Sequence, residues 1–444
     1  MQIILTAILV VERARAFFCD RNFQDRHRTS NKAFTRQRKL GFDLVMLLVL
    51  QKTIKSLQLH LHEFFGTLTG AAKHAVTPSA WTQARAKLRH TAFIELNQVA
   101  VLDTFYGDRG SVDLWHGHRL LAIDSSTVRM PDSGALFEFF GGHEPSNQSG
   151  SCGVRVPLSR LSVLYDLRNQ LGIDARICKF SQGEVELALE HLSALFPGDV
   201  VVSDRGYAGY LFLARIVALG GHFIVRCQKQ SFSVAKKLFE NDKDGASITV
   251  TLPAKSRRAE AKADGLPLEL QVRFVAVRLP TGELEVLATS LLDEQAYPTE
   301  EFLGVYNKRW GIETYYGALK GRLDLENFSG HTVEAVLQDI HAAVFLSNLE
   351  SVVTREADAQ LPKAKDGKRR YDTKLNKAVT FHGLKSRVID LLIGKDPVEK
   401  VLAELTELFR ASPVAVRPHR NPPRKPPTPL RSLNFLKYFR KGVF

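Results

Sequence analysis

The chain has 444 residues, of which 44% are hydrophobic and 24% charged, a composition typical of a folded, soluble protein with two or three domains. Its 61 lysines and arginines against 47 acidic residues give a formal net charge of +14. The leading explanation of this charge is a polyanionic partner such as nucleic acid, and the alternative is a soluble protein that is basic by chance. The four cysteines are far apart, which excludes a zinc ribbon and a secreted disulfide scaffold, so we expect a reduced, cytoplasmic setting. No membrane segment is evident, and we expect no membrane partner.

Residues 1–117 are predicted to form a helical N-terminal region that binds DNA. Apolar residues between positions 44 and 64 follow an amphipathic helical period. The tripeptide Thr77-Pro78-Ser79 predicts the start of another helix, with Ser79 as its cap. The basic side chains of that helix suit insertion into a DNA groove, and equally a solvated helix face: they are Arg85, Lys87 and Arg89.

From residue 118 the pattern changes to short apolar runs that alternate with helical segments, which predicts a mixed α/β sheet. Two predicted strands end in an aspartate, Asp124 after the first and Asp204 after the fourth. Residues 229–293 carry further strand signals and are interpreted as a β-rich insertion. The predicted core strands are 120–124, 162–167, 172–180, 199–203 and 222–227, those of the insertion are 248–252, 268–279 and 284–292, and the helices are 184–196 and 208–219.

A long helix is predicted over about residues 299–322. Tyr306, Arg309, Glu313 and Lys320 follow one another at intervals of three, four and seven residues, which places them on an arc of about 60° of that helix. One acid is thereby flanked by two cations and a phenol, which suits holding a divalent cation against a phosphodiester. The alternative is an exposed helix with an Arg–Glu pair one turn apart, which is common.

The chemistry that would unite these residues is phosphoryl transfer. Two divalent ions stabilise the attacking and leaving oxygens of a phosphodiester, and such hard cations bind carboxylates. Asp124 and Asp204 would be neighbours if their strands pair, and Glu313 would approach from the helix over that sheet edge. Each aspartate alone is also explained as the polar end of a strand or as a helix cap. The residues of the helix that would contact DNA near the cleaved bond are Tyr306, Arg309 and Lys320.

Residues 351–444 are predicted to form a C-terminal helical region and a basic, proline-rich tail, after a helix over about residues 332–354. The last 37 residues contain no acid, nine lysines or arginines and seven prolines. Such a composition does not bury enough apolar surface to fold alone, so the tail is predicted to be extended.

Three motifs together resemble those of a known family. They are Ala122-Ile123-Asp124-Ser125-Ser126-Thr127, Ser203-Asp204-Arg205-Gly206-Tyr207, and the set Tyr306, Arg309, Glu313 and Lys320, and their successive acids are 80 and 109 positions apart. They resemble the motifs of bacterial insertion-sequence transposases of the Asp-Asp-Glu (DDE) type, including the Tyr-(2)-Arg-(3)-Glu-(6)-Lys signature. The likeness extends over roughly residues 30–350.

The resemblance implies a ribonuclease-H-like catalytic domain at residues 118–350 and metal-dependent, cut-and-paste transposition of an insertion sequence. Asp124, Asp204 and Glu313 would be the catalytic metal ligands for two Mg²⁺ or Mn²⁺ ions. The implied partners are double-stranded DNA, as terminal inverted repeats and as target, and a second copy of the chain in a homodimer. A bacterial, nucleoid-associated location follows from these partners.

The family commonly frees DNA ends through a hairpin with a flipped-out base, a step that needs an aromatic platform. Phe274 is the aromatic residue of the insertion that we interpret as this platform. Two other functions stay open. One is that of a non-catalytic DNA-binding protein derived from a transposase, and the other is that of a general metal-dependent nuclease.

Overall fold

A computed structural model describes residues 2–36, 38–69, 76–108, 110–143, 155–362 and 370–417. The chain forms two compact units. We name them the sheet unit, residues 113–127 and 160–316, and the helical unit, residues 1–112, 128–159 and 317–444. Most of the predicted extended tail follows residue 417 and lies outside the described residues.

The sheet unit is built on a mixed sheet, as predicted. In the described part of the chain this sheet has nine strands. The strands of the described residues are β1 (Leu120–Arg129), β2 (Gly142–His143), β3 (Val156–Asp166), β4 (Leu171–Lys179), β5 (Val200–Ser203), β6 (His222–Arg226), β7 (Ser247–Pro253), β8 (Glu269–Arg278), β9 (Leu284–Thr289), β10 (Thr373–Lys374) and β11 (Val414–Ala415). The order in the sheet is β2-β3-β1-β5-β6-β9-β8-β7, with β4 paired to β3, and β10 pairs with β11 separately.

The centre of the sheet is parallel. Leu120 of β1 lies opposite Val200 of β5, and β5 is also parallel to β6. All four residues of β5 are buried, as expected for a strand covered on both faces. The expected pairing of the first and fourth predicted core strands is confirmed. However, β1 continues to Arg129 and does not end at Asp124.

The β-rich segment at residues 229–293 continues this sheet. The strand β9 pairs antiparallel with β6, with Ile224 opposite Thr289, and β8 and β7 follow as further antiparallel strands. The segment also contains two helices, Ser233–Asn241 and Arg258–Ala263, which the strand signals did not predict.

The helix predicted over residues 299–322 is two helices separated by a turn at Lys308 and Arg309, so the prediction of one continuous helix was wrong. The N–H groups of the turn bond to carbonyls three residues back, not four. The apolar period continues across the turn, since Val305 and Ile312 are both buried. Periodicity alone therefore did not reveal the break.

The core of the sheet unit joins the strands to the helices beside them. Leu121, Val201, Phe223 and Phe212 belong to one buried cluster. The helices with all or most of their length in this unit are Glu184–His191, Tyr210–Ala218, Ser233–Asn241, Arg258–Ala263, Glu301–Asn307 and Trp310–Gly321, with 3-10 turns at Leu192–Ala194, Arg205–Tyr207 and Lys255–Arg257.

The helical unit is built around the helix Val333–Val353, which confirms the helix predicted over residues 332–354. Eighteen of its 21 residues are buried, as expected for a helix at the centre of a core. Of the helices that the structure describes, none has the length and apolar character needed to cross a membrane. The other helices of this unit are Gln2–Cys19, Arg21–His27, Phe42–Leu50, Leu57–Thr69, Pro78–Arg85, Thr91–Glu95, Thr104–Gly107, Gly134–Phe140, Arg355–Ala359, Lys377–Ser386, Val388–Ile393 and Val398–Arg410, with a π-helix at Leu96–Asp103.

The helix Pro78–Arg85 starts at the predicted place, but its cap is Thr77 and not Ser79. The Thr77 Oγ1 accepts a hydrogen bond from the Ala80 N–H at 3.2 Å. Proline suits the first helical position because its φ is already helical and it has no N–H to be capped. The capping residue is therefore the one that precedes the proline.

Candidate active site

Two of the predicted acids lie at one edge of the sheet. Asp204 directly follows β5, and Asp124 is two positions beyond the last residue of β1 that pairs with β5. Both therefore lie past the carboxyl end of β5, where ligands commonly bind in open α/β sheets. Each uses one oxygen to accept a neighbouring N–H, Asp124 from Ser125 at 2.8 Å and Asp204 from Arg205 at 2.7 Å.

The third predicted acid, Glu313, lies in the first turn of the helix Trp310–Gly321. Its Oε1 accepts a hydrogen bond from the Arg309 Nη2 at 3.0 Å. The Arg309 side chain is only 7% exposed, whereas that of Glu313 is 40% exposed. The Nε of Arg309 is buried and has no hydrogen-bond partner among the described residues. The Arg–Glu pair considered as an alternative is thus present, but its arginine is buried instead of solvated.

The ionisation of Asp124 reflects its neighbours. Its pKa is raised to about 6, chiefly by burial. The Ser125 N–H and the charge of Arg309 oppose the rise, whereas the charges of Glu313 and Glu184 add to it. Asp124 and Glu313, which are 189 residues apart in the sequence, therefore act on each other in the folded chain.

Arg309 is the group that interacts with all three acids. Burial lowers its pKa, but Tyr306, Glu313 and Asp204 outweigh this effect, and the net pKa is raised. Arg309 also opposes the rise in the pKa of Asp124. The three acids predicted from separate motifs thus share one electrostatic environment around a single guanidinium.

The chemistry of these donors fits a divalent cation. Carboxylate oxygens are the ligands that Mg²⁺ and Mn²⁺ prefer. A bound cation would also offset the two effects that raise the pKa of Asp124, the repulsion by nearby carboxylates and the cost of burying a negative charge. Across the ranges that the structure describes, no three His, Cys, Asp or Glu side chains stand in an arrangement that could hold a metal ion. The acids interact, but they are not preassembled as a ligand cluster.

The other two predicted residues of the Glu313 region have different surroundings. Tyr306 is 3% exposed, and its hydroxyl has no hydrogen-bond partner in the described part of the chain. Burial is the main cause that raises the pKa of Tyr306 to about 12, and Asp204 contributes. Lys320 belongs to the helical unit, where its Nζ lies 3.5 Å from the Glu326 Oε1.

Two tyrosines of this site were not predicted as site residues. The Tyr207 hydroxyl is buried without a partner among the described residues, and burial, with Asp124 and Asp204, raises the pKa of Tyr207 well above its usual range. The Tyr316 hydroxyl donates to the main-chain carbonyl of Asp124 at 2.7 Å. A local signal existed for both, because Tyr207 is part of the second motif and Tyr316 follows Glu313 by less than one turn.

A fourth carboxylate, Glu184, was also missed. It starts the helix Glu184–His191, accepts a hydrogen bond from the Ser125 Oγ at 2.9 Å and forms an ion pair with Arg160. Its charge adds to the raised pKa of Asp124. No sequence signal links Glu184 to Asp124, because 60 residues separate them and the surrounding pattern indicates only a helix.

A cavity of about 280 Å³ adjoins this site in the sheet unit. Arg226 on its wall forms an ion pair with Glu285 at 2.6 Å. Burial is the main cause that raises the pKa of Glu285, and the charges of Asp204 and Arg309 act on it in opposite directions. A cationic wall beside the acids suits a phosphate. The cavity is lined by Arg205, Arg226, Cys227, Gln228, Lys229, Gln230, Phe239, Leu284 and Glu285.

Arg85 is a core residue, which corrects the prediction that it contacts DNA. It is 4% exposed. Its Nη2 pairs with the Asp339 Oδ1 at 2.8 Å, its Nε donates to the Gln338 Oε1 at 2.7 Å, and its Nη1 donates to the Ser329 Oγ at 2.7 Å. Every guanidinium nitrogen has a partner inside the helical unit. These partners are more than 240 residues away in the sequence, so the local helical pattern did not reveal them.

Lys87 and Arg89 follow the end of the helix instead of lying on it, and Arg89 is exposed. Lys87 lines a cavity of about 400 Å³ in the helical unit, and none of the described residues that line this cavity is acidic. We name it the basic groove. In the described ranges, its cations form no ion pair. The cations of the basic groove are Lys32, Arg36, Arg38, Lys39 and Lys87.

Phe274 cannot be the base-stacking platform in this fold, and that interpretation was wrong. The residue is 0% exposed and belongs to the core of the sheet unit. Its ring packs against Phe232 with a centroid distance of 5.4 Å. The strand β8 is covered on both sides along its second half, so its alternating pattern does not mark an exposed face.

Residues 115–349 match the family described as Transposase DDE domain, which is more than half of the chain. The chain belongs to this family. The matched range contains Asp124, Asp204 and Glu313. The match confirms the predicted DDE transposase family, and the mixed sheet with its flanking helices confirms the predicted α/β class.

Individual proteins of known sequence are also similar to this chain. The transposase InsG for insertion sequence element IS4 of Escherichia coli strain K12 is 26% identical over 299 residues, which is 63% of this chain and 62% of InsG. The putative transposase InsZ of the same strain is 26% identical over 181 residues, 40% of this chain and 57% of InsZ. The putative transposase y4zB of Sinorhizobium fredii strain NBRC 101917 / NGR234 is 24% identical over 163 residues, 36% of this chain and 44% of y4zB. The chain thus spans less than two thirds of these curated relatives.

A solved structure of the piggyBac transposase synaptic complex with hairpin DNA is similar at 9% identity and a TM-score of 0.44, covering 92% of this chain and 85% of that one.

Proposed function

We propose that this chain is a DNA transposase that cleaves DNA at the terminal inverted repeats of an insertion sequence and joins the ends to target DNA. One observation carries the proposal. Arg309 interacts with Asp124, Asp204 and Glu313, which come from three separate segments of a Transposase DDE domain. Such convergence of carboxylates at the edge of an α/β sheet is the arrangement that metal-dependent phosphoryl transfer requires.

Asp124, Asp204 and Glu313 would hold two Mg²⁺ or Mn²⁺ ions, which stabilise charge on the attacking and leaving oxygens when bound. The residues of the chain prepare the site. Because each aspartate accepts an N–H with one oxygen, its carboxylate is oriented while its second oxygen has no partner in the described part of the chain. Arg309 opposes the rise in the pKa of Asp124 and so favours the ionised carboxylate, which is the form that binds a cation.

The phosphates beside the scissile bond would be bound by Arg309, Tyr306 and Lys320. The Arg309 Nε and the Tyr306 hydroxyl are buried polar groups without partners among the described residues. Buried groups of this kind cost free energy until they are satisfied. A phosphate oxygen would accept from both, and Arg309 would then exchange part of its contact with Glu313 for the DNA backbone.

The remaining elements of the proposal concern DNA and assembly. Double-stranded DNA would bind to the N-terminal region, residues 1–117, through the basic groove and Arg89 instead of through Arg85. The catalytic domain would extend over residues 118–350, followed by the C-terminal region at 351–444. The DNA complex would contain a homodimer, since two element ends are joined, and the protein would be nucleoid-associated in a bacterial cytoplasm.

The central test is cleavage of a plasmid that carries the DNA flanking this reading frame, with Mg²⁺ present. We expect Asp124→Asn, Asp204→Asn and Glu313→Gln each to lower cleavage at least about 100-fold, while binding of the same DNA in EDTA stays within twofold of the unaltered chain. Glu240→Gln, an exposed carboxylate of the sheet unit, is the matched control and should cleave normally. Undiminished cleavage by any of the three site variants would overturn the assignment.

The same assay separates the two alternatives. A general nuclease would cut a plasmid of random sequence as fast as the plasmid with the flanking DNA. A non-catalytic DNA-binding protein would bind the flanking DNA but would cut neither plasmid with Mg²⁺ or with Mn²⁺.

DNA binding by the basic groove is tested with the double variant Arg36→Ala and Arg38→Ala. Loss of two phosphate contacts should reduce the slope of log binding constant against log salt by about 1.8. The control is Lys395→Ala with Lys400→Ala, which removes the same charge from exposed positions of the helical unit. If both double variants change the slope equally, net charge explains the effect and the groove is not a specific site.

A further inference from the structure

The main-chain carbonyl of Asp124 has an unusual partner for a residue in a strand. It accepts a hydrogen bond from the Tyr316 hydroxyl at 2.7 Å. Tyr316 is 6% exposed and lies three residues after Glu313, on the adjacent turn of the helix Trp310–Gly321. The same hydroxyl also lies 3.2 Å from the main-chain carbonyl oxygen of Leu161 in β3. The shorter of the two contacts, to Asp124, connects the helix that carries Glu313 directly to the strand that carries Asp124.

A second hydroxyl lies near the same carbonyl, at a longer distance. The Ser162 Oγ is 3.3 Å from the Asp124 carbonyl oxygen and 2.9 Å from the His191 Nε2, and the His191 Nδ1 is 2.9 Å from the Asp174 Oδ2. Of the two hydroxyls, that of Tyr316 lies closer to the Asp124 carbonyl oxygen, at 2.7 Å against 3.3 Å.

This serine, histidine and aspartate have the order of a nucleophilic triad, but they do not form one. Ser162 and His191 are both 0% exposed, so a substrate does not reach the serine oxygen. Ser162 lies on β3, whereas Tyr316 lies on the helix that carries Glu313, so Tyr316 is the residue that links the two acidic segments.

We propose that Tyr316 is a positioning residue for the acidic site: its hydroxyl sets the distance between Asp124 and Glu313 so that both carboxylates can contact a shared divalent cation. This inference rests on the proposed metal-dependent function. The hydrogen bond from Tyr316 to Asp124 matters because the acids are not preassembled as a ligand cluster in the described chain. The free energy of metal binding must bring them together, and a helix free to shift relative to β1 would increase that cost.

The test compares Tyr316→Phe with Tyr315→Phe. Both changes remove one buried hydroxyl and keep the ring. Tyr315 is 4% exposed, packs against Tyr165 at a ring distance of 4.5 Å, and its hydroxyl has no partner in the described part of the chain. Tyr315→Phe is therefore a matched control from the adjacent position on the same helix.

Two measurements distinguish positioning from general stability. The first is the Mn²⁺ dissociation constant from calorimetry, and the second is the Mg²⁺ concentration that gives half-maximal cleavage. For Tyr316→Phe we expect both to rise roughly 3- to 10-fold, the effect of one hydrogen bond, with the cleavage rate at saturating metal restored. Tyr315→Phe should change neither value. Thermal unfolding in EDTA reports any loss of stability separately.

An unchanged Mn²⁺ affinity in Tyr316→Phe, or an equal shift in Tyr315→Phe, would overturn the inference. If the unaltered chain binds Mn²⁺ but cuts no DNA, the proposed function fails while the calorimetric comparison still decides the role of Tyr316. If the unaltered chain binds no Mn²⁺ with or without DNA, both proposals fail.

Discussion

Two buried arginines, one in each unit, differ in how completely the fold satisfies them. In the helical unit, every guanidinium nitrogen of Arg85 has a partner, including the carboxylate of Asp339. In the sheet unit, Arg309 has one hydrogen bond to Glu313, and its Nε has no partner among the described residues. Since native folds rarely leave buried polar groups unsatisfied, the first arginine is part of the fold, and we expect the second to bind a ligand.

The carboxylates show the same contrast. Asp339 is fully enclosed, yet Arg85, Lys52 and Ser329 outweigh the effect of its burial, and its pKa is lowered. Asp124 keeps a pKa raised to about 6 because burial, Glu313 and Glu184 outweigh Arg309 and the Ser125 N–H. A buried carboxylate whose charge is fully balanced by nearby cations and donors indicates a structural ion pair. A carboxylate at a sheet edge whose charge is balanced only in part is typical of functional sites.

The largest expected effect comes from removing Arg85. Arg85→Ala leaves Asp339 buried without its main counter-charge, so we expect a loss of about 3–5 kcal/mol in the free energy of unfolding. Urea unfolding at pH 7 measures it. Arg89→Ala, an exposed arginine four residues later, should change stability by less than about 0.5 kcal/mol. Normal stability of Arg85→Ala together with weaker DNA binding would reverse our correction.

Arg309→Ala should have the opposite effect, with little change in stability and a large loss of activity. It removes an ion pair but also a poorly satisfied buried charge, so the free energy of unfolding should change by no more than about 1 kcal/mol. Cleavage of DNA carrying the element ends should fall on the order of 100-fold, because a donor to the reacting phosphate is lost. Lys308→Ala is the control, since it removes an adjacent but exposed cation. A stability loss as large as that of Arg85→Ala would remove the distinction between the two arginines.

Sequence patterns predicted the elements whose signals are local. The buried strand β5 was predicted at residues 199–203 because its apolar run is continuous and ends at a polar residue. The family motifs were likewise readable, since each of them is a short run around one acid. In both cases the chain carries the information within a few residues.

The predictions failed where the deciding partner is distant in the sequence. Arg85 was interpreted as a DNA contact because Asp339, which fixes its role, lies 254 residues away. Phe274 was interpreted as a stacking platform because a strand signal does not show which faces other elements cover, and the residue is buried. The helix break at Arg309 was missed because the turn preserves the apolar period that the prediction relied on.

The smallest expected effect tests the incomplete compensation of Asp124. A folded-state pKa of about 6 against an ordinary value of 3.8 means that the folded chain retains a proton which the unfolded chain loses between these values. The contribution of Asp124 to the free energy of unfolding therefore falls as the pH rises from about 4 to 6, and it stays at its lower value above pH 6. A shift of this size corresponds to roughly 3 kcal/mol, but the amide of an asparagine is itself a polar group that is costly to bury. In EDTA at pH 8, Asp124→Asn should therefore be more stable than the unaltered chain by only about 1–2 kcal/mol, and the difference should vanish towards pH 4.

Added metal should reverse this order. If the proposed site holds Mn²⁺, saturating Mn²⁺ should raise the melting temperature of the unaltered chain by mass action, whereas Asp124→Asn lacks a charged ligand and should gain much less. Thermal unfolding at pH 8, with and without Mn²⁺, measures both changes in one experiment. If Asp124→Asn is no more stable in EDTA, burial of this carboxylate carries no penalty. Asp124 would then be as well compensated as Asp339, and the contrast between the two units would not extend to their acids.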